Sequence, residues 1–257
     1  MKEEYMSMLL KISEHEHAPK WSRQGGDRLI EHDIPIIKSF HQDLFEKRNH
    51  SYHQNKDILI KWLMNLRKQN NWFNDKTFGV NLEKEFHHIP FMKRTDLQIN
   101  LHEIIPFDLD LSRMVFNPTS GTTGEPILCP NHPSAVACYD AMILYMLSEH
   151  GIKEEFNYEK MAAIQFCAQN YTLTYHTVHT YLKGAGFAKI NLNQSGGWPE
   201  KKSPHEFVKD LDPIFYSGDP FSFYMTMNKG IQSKPKALLT TALEMPPLLY
   251  DKLKAYY

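Results

Sequence analysis

The stretch at 116–126, "FNPTSGTTGEP", gathers Thr119, Ser120, Gly121, Thr122, Thr123 and Gly124 between an apolar run and a proline. Glycine lets a backbone approach a ligand closely and take positive φ, and the interleaved Thr and Ser add hydroxyl donors. Successive backbone N–H groups and hydroxyls form a concave anion site that can wrap phosphate oxygens without a full formal charge. The segment is not a Walker loop, because "GTTGEP" lacks both the GxxxxGK spacing and the lysine. Polar glycine-rich segments also make plain surface turns, and on the residues alone both readings stand.

Histidine is the other chemistry-bearing type, with 14 in the chain. His176 and His179 are expected to share one helix face at a spacing of three that would suit a metal. No Glu-x-x-His pair or cysteine partner lies near them in sequence, so a structural role is expected and no metal site is assigned. Tyr171 and His176 follow the apolar run "MAAIQFCA", and Thr240 and Thr241 end the run "KALLTT". Both places are strand ends, where open α/β sheets put ligands. "NQSGGW", 193–198, is a second glycine loop and is expected to be a plain turn, the alternative being a border of the same cleft.

These residues need a scaffold, and the apolar pattern predicts one. Residues 1–100 read as mainly helical, with "DRLIEHDIPIIKSFHQDLFEKR" and "NKDILIKWLMNLRKQ" repeating apolar residues at three and four. Residues 101–257 read as an α/β region that forms one structural unit with the first hundred. "RMVF" predicts a strand entering the hydroxyl-rich loop, and "HPSAVACYDAMILYMLSEHG" a helix opening at Pro133 and stopping at Gly151. Strands are predicted at 161–168, 187–192, 213–217 and 236–241, about 25 residues apart, the rhythm of a largely parallel sheet with flanking helices. Between them, "SPHE" predicts a helix capped by Ser203 with Glu206 closing a capping box, and "DPFSFYMTM" one capped by Asp219. "MPPLLYDKLKAYY" predicts a final crossover helix, and the chain is expected to stop before the strand that should follow.

"TSGTTGEP", Thr119 to Pro126, resembles the signature phosphate loop of the acyl-adenylate-forming (AMP-dependent synthetase and ligase) superfamily. "IPFMKRTDL", Ile89 to Leu97, is similar to a segment that precedes the loop in the phenylacetate-CoA ligase-like branch. The resemblance covers about 85–257. Where many members continue with lysine and glycine, Ile127 and Leu128 stand here. It implies an incomplete N-terminal domain of the ligase fold, and a carboxylic acid activated by ATP, with Mg2+, to an acyl-adenylate, then passed to CoA or another nucleophile. It makes Thr119, Ser120, Thr122 and Thr123 hydroxyl donors to the β- and γ-phosphates, with Gly121 and Gly124 permitting the tight backbone. Tyr171, His176, Thr240 and Thr241 would border the acyl pocket. The aromatic-x-x-x-Glu, "TGD"-like and C-terminal lid motifs of the superfamily are not recognisable, and "YSGD", 216–219, is read as a strand end and helix cap. The isolated portion is therefore expected to be inactive. The alternative readings are a catalytically inactive truncated homologue acting as a binding or assembly module, and half of a split enzyme. An open sheet edge would allow a homodimer or pairing with a missing C-terminal half.

Composition narrows the partner classes. With 29 basic and 30 acidic residues the net charge is −1, which gives no electrostatic reason to expect nucleic acid or an anionic membrane. Three cysteines, Cys129, Cys138 and Cys167, sit in no paired-ligand spacing and argue against a disulfide framework, so a cytoplasmic protein is expected.

Overall fold

The computed structural model describes residues 3–24, 26–46, 52–118, 127–170, 172–193 and 196–257. From the amino terminus run α1 (Glu3–Ser13), β1 (Arg23–Gln24), α2 (Asp33–Glu46), α3 (Tyr52–Gln69), α4 (Asn71–Lys76), α5 (Leu82–Glu85), α6 (Arg94–Ile99) and α7 (Leu101–Ile104). Two strands, β2 (Val115–Pro118) and β3 (Leu128–Asn131), precede the long α8 (Pro133–Glu149). Then follow β4 (Met161–Cys167), β5 (Tyr175–His179), β6 (Ala185–Asn191), α9 (Ser203–Leu211), β7 (Phe215–Gly218), α10 (Pro220–Asn228), β8 (Ala237–Thr240) and α11 (Pro247–Tyr256). The chain divides into two compact units, Met1–Ile37 with Tyr139–Tyr257, and Lys38–Cys138.

The first unit is α/β. Its sheet has the order β1-β5-β6-β4-β7-β8 among the described residues, parallel at every pairing except β5 with β6. The apolar strand runs at 161, 187, 213 and 236 form β4, β6, β7 and β8 as their patterns predict. "YHTVH", 175–179, is a fifth strand rather than a helix, so His176 and His179 occupy opposite faces of a sheet and not one helix face. It reverses into β6 through a tight turn that Lys183 (φ 55°) and Gly184 (φ 83°) close.

One face of this sheet is mainly apolar, with His176 buried among its side chains. Ile164, Phe166, Val178, Ala188, Ile190 and Tyr216 are buried there under Met8 and Ile12 of α1, Phe207, Val208 and Leu211 of α9, Phe223 of α10 and Leu253 of α11. Truncating a fully buried ring such as Phe207, which has no exposed surface, typically costs about 3–5 kcal/mol. Two glycines let α1 approach the sheet. A Cβ at Gly184 would stand 2.2 Å from Cδ1 of Tyr5, and one at Gly186 2.8 Å from the sulfur of Met8. On the other face Ala163, Phe187, Phe215 and Ala237 pack with Ile143, Leu144 and Leu147 of α8.

Local rules set the helix ends. Asp219 caps α10, its carboxylate accepting from the Ser222 amide at 2.7 Å, with Pro220 in the first turn, and Gly151 stops α8 at φ 73°. At α9 the expectation fails in detail. The N-cap is Lys202, and Ser203 lies inside the first turn, where its hydroxyl accepts from the Glu200 amide at 3.0 Å instead of closing a box with Glu206.

The second unit packs Ile60 and Leu63 of α3 against Trp72 and Phe73 of α4 and Leu82 of α5. Asn70 caps α4 by accepting from the Phe73 amide at 2.7 Å, and the Arg67 guanidinium donates to Thr77 and Val80 carbonyls, each at 2.9 Å. No helix among the described residues is long and apolar enough to cross a membrane.

Candidate functional site

The hydroxyl-rich segment is held by β2 and β3 of the second unit. "RMVF" does lead into it, as β2. The two strands pair antiparallel from Val115 opposite Asn131 to Pro118 opposite Leu128, and 119–127 is the connection between them in sequence. Antiparallel pairing brings the ends of that connection to about 5 Å from each other. The base is tied by the Asn131 amide, which donates to the Cys129 carbonyl at 3.1 Å. Next to it the ring Nδ1 of His132 lies 2.7 Å from the Ser134 hydroxyl. Thr119, Ser120, Gly121, Thr122, Thr123 and Gly124 themselves lie outside the described residues, as does Tyr171.

In the first unit the chain leaves β4 towards β5 and β6 on one side, and later towards β7 and β8 on the other. That reversal of direction is where open α/β sheets leave a crevice at the carboxyl ends of the strands. Thr240 ends β8 there and Thr241 follows it, both exposed, with the Thr241 amide donating to the Gly218 carbonyl at 3.0 Å. Asn191, buried at the end of β6, joins the loops. Its amide donates to the Gln169 carbonyl at 2.7 Å and its carbonyl oxygen accepts from the indole of Trp198 at 3.1 Å. His176 lies on the apolar face, 3% exposed, its ring 4.7 Å from that of Trp21. Burial lowers its pKa, so the imidazole is neutral, and its Nδ1 has no hydrogen-bond partner among the described residues.

His179 has a different environment. Its Nδ1 donates to the Asp140 carboxylate of α8 at 2.6 Å, and its ring stacks on Phe187 at 5.0 Å. Burial alone would lower its pKa, but the charge and hydrogen bond of Asp140, helped by Asp27, outweigh this and raise it. Asp27 also holds the following residue, accepting from the hydroxyl of Thr180 at 3.0 Å. The pair anchors α8 to β5.

Sequence reasoning missed a row of polar side chains on the α8 face of the sheet. Register places Arg23, Tyr175, Lys189, Gln165 and Ser217 side by side, on β1, β5, β6, β4 and β7, with Leu239 of β8 completing the row. Tyr175, Lys189, Gln165 and Ser217 are half-buried and Arg23 is exposed. The adjoining row towards the strand starts, Thr177, Phe187, Ala163, Phe215 and Ala237, is almost wholly apolar. The sequence does carry a signal, since polar residues interrupt these buried strands: Gln in "MAAIQFC", Lys and the terminal Asn in "AGFAKIN", Ser in "FYSG". Cys167, next along β4 on the same face, is buried, and that burial pushes its thiol pKa up, Lys189 working against the shift and Asp219 with it. Burial likewise raises the Tyr175 phenol.

No group of three or more His, Cys, Asp or Glu side chains among the described residues is placed to hold a metal ion, so none is assigned to magnesium. Compared with known proteins, the sequence matches no family model and no curated protein.

Proposed function

We propose that this chain carries the triphosphate-binding part of an AMP-forming ligase that activates a carboxylic acid. The observation that carries the reading is the sequence "TSGTTGEP", which links the paired strands β2 and β3, in a chain that also contains an α/β sheet with a switch point. Pairing of β2 with β3 fixes where the connecting segment begins and ends. In the reaction an oxygen of the acid forms a bond to the α-phosphorus of ATP, and the bond from that phosphorus to the bridging oxygen of pyrophosphate breaks. A thiol or amine then displaces AMP from the acyl carbon. Thr119, Ser120, Thr122 and Thr123, with the amides of Gly121 and Gly124, hold the β- and γ-phosphates and stabilise the charge that gathers on the departing pyrophosphate. Tyr171, Thr240 and Thr241 are assigned to the acid's surroundings; His176, buried on the apolar face, is not. CoA is one acceptor that fits the reading.

The test is nucleotide binding, measured by titration calorimetry on this chain and on Thr122→Ala combined with Thr123→Ala. Saturable ATP binding that weakens at least tenfold in the double variant, with unchanged circular dichroism, supports the reading. Equal affinity in the two proteins overturns it.

A further inference from the structure

We propose that the polar row on the α8 face of the sheet, centred on Lys189 with Gln165, Ser217 and Tyr175, is a binding site for a small organic carboxylate that carries a hydroxyl or carbonyl group. A strand buried on both faces of a parallel sheet is normally apolar along its length. Here β4 and β7 each break that pattern once and β6 breaks it at Lys189 and Asn191, and register sets Gln165, Lys189 and Ser217 next to one another. Chance interruptions would fall in different rows. None of Gln165, Lys189 and Ser217 has a side-chain hydrogen bond or ion pair with another group among the described residues. None of their polar atoms is both buried and unpaired among the described residues, so each stays reachable by water or a ligand.

Charge selects the ligand. The groups that face the row are the cations Lys189 and Arg23, the phenol of Tyr175 and the thiol of Cys167, with Asp219 beyond the thiol. Burial keeps phenol and thiol uncharged, so the near field is positive. An ammonium on a half-buried floor binds a carboxylate as a point charge. Gln165, in the neighbouring strand, presents both a donor and an acceptor, and Ser217 a hydroxyl, which match a carbonyl or hydroxyl on the same ligand. Strands lie about 4.8 Å apart, so Tyr175 to Ser217 spans roughly 14 Å, enough for a small acid and too short for a polymer. Phe187, half-buried in the adjoining row, adds apolar surface for its carbon skeleton. The row stands two residues before the end of β4, beside the switch point. In naming this ligand as the acid that ATP would activate, the inference rests on the ligase reading.

The experiment is a titration of the chain with 4-hydroxybenzoate, 4-hydroxyphenylacetate and 2-oxobutyrate, followed by NMR, with ATP titrated into the same samples. At least one acid is expected to bind and to lose tenfold or more in affinity in Lys189→Met. Smaller losses are expected in Gln165→Leu and Ser217→Ala, and none in Lys209→Met, a surface lysine of α9 with its side chain 60% exposed. Each variant is first shown to fold by circular dichroism, and Ser217→Ala, the mildest change, stands in if Lys189→Met does not fold. Acid binding that is indifferent to Lys189→Met and Ser217→Ala, or no binding of any of the three acids, overturns the site whether or not ATP binds. Acid binding lost in Lys189→Met while ATP fails to bind sustains the site and removes the ligase reading alone.

Discussion

The pair of His179 and Asp140 makes a sharp prediction about pH. The side chains are 21% and 5% exposed, so the carboxylate and imidazolium are shielded from solvent on most sides. The folded pKa of His179 is raised above 6.5, the ordinary value. A raised folded pKa means that the folded state binds the proton more tightly than the unfolded one. The stabilisation is therefore complete below pH 6.5 and is lost as pH rises through the higher folded pKa. Asp140→Asn keeps the shape and an acceptor but removes the charge. A hydrogen bond to a charged group is worth about 1.5–3 kcal/mol, against about 1 kcal/mol for a neutral one. The pair is imidazolium to carboxylate at pH 5.5 and neutral imidazole to carboxylate at pH 9, so the variant should cost about 3 kcal/mol at the lower pH and about 1.5 kcal/mol at the higher. In a unit of this size that corresponds to a loss in Tm of roughly 6–12 °C at the lower pH and about 3–6 °C at the higher. Thermal unfolding followed by near-ultraviolet circular dichroism at both pH values measures it, with His179→Gln as a control that should remove the pH dependence. An effect of Asp140→Asn that is equal at the two pH values, or larger at pH 9, would refute the reasoning.

Two further outcomes follow from the packing. Gly184→Ala places a side chain at φ 83° and against the ring of Tyr5, combining backbone strain with overpacking, and should destabilise the protein by about 2–4 kcal/mol in urea. A loss below about 1 kcal/mol would show that α1 does not depend on the glycine. Cys167 is 8% exposed with its pKa raised, so in a chain with Cys129→Ser and Cys138→Ser the remaining thiol should react with a disulfide reagent at least tenfold faster after unfolding than before. Equal rates in the native and unfolded chain would contradict that burial.

Much of the first unit was legible in the sequence because its signals are local. The apolar runs at 161, 187, 213 and 236, Asp219 before Pro220, and Gly151 after an apolar helix are short-range patterns, and each is found in the structure where it was expected. β5 was not legible. "YHTVH" has five residues, its two histidines sit at helical spacing, and only pairing with β6 makes it a strand. The glycines in "GAG", 184–186, carry a packing requirement that becomes visible when Tyr5 and Met8, almost two hundred residues earlier, are placed over them. The cap at α9 moved by one residue because Ser203 found a closer partner in the Glu200 amide. The polar row was illegible for a related reason. Gln165, Lys189 and Ser217 are unremarkable one at a time, and strand register alone aligns them. The first helix, grouped on sequence with the helices up to residue 100, packs on the sheet of the first unit because Tyr5, Met8, Leu9 and Ile12 form one apolar stripe.

The most direct test of the account is an amide NMR titration of this chain with ATP, read at the glycines of the connection between β2 and β3. The account predicts saturable shifts at Gly121 and Gly124 that disappear when Thr122 and Thr123 are both replaced by alanine. Saturable ATP binding that leaves both glycine amides unmoved, or no binding at millimolar nucleotide, would contradict it.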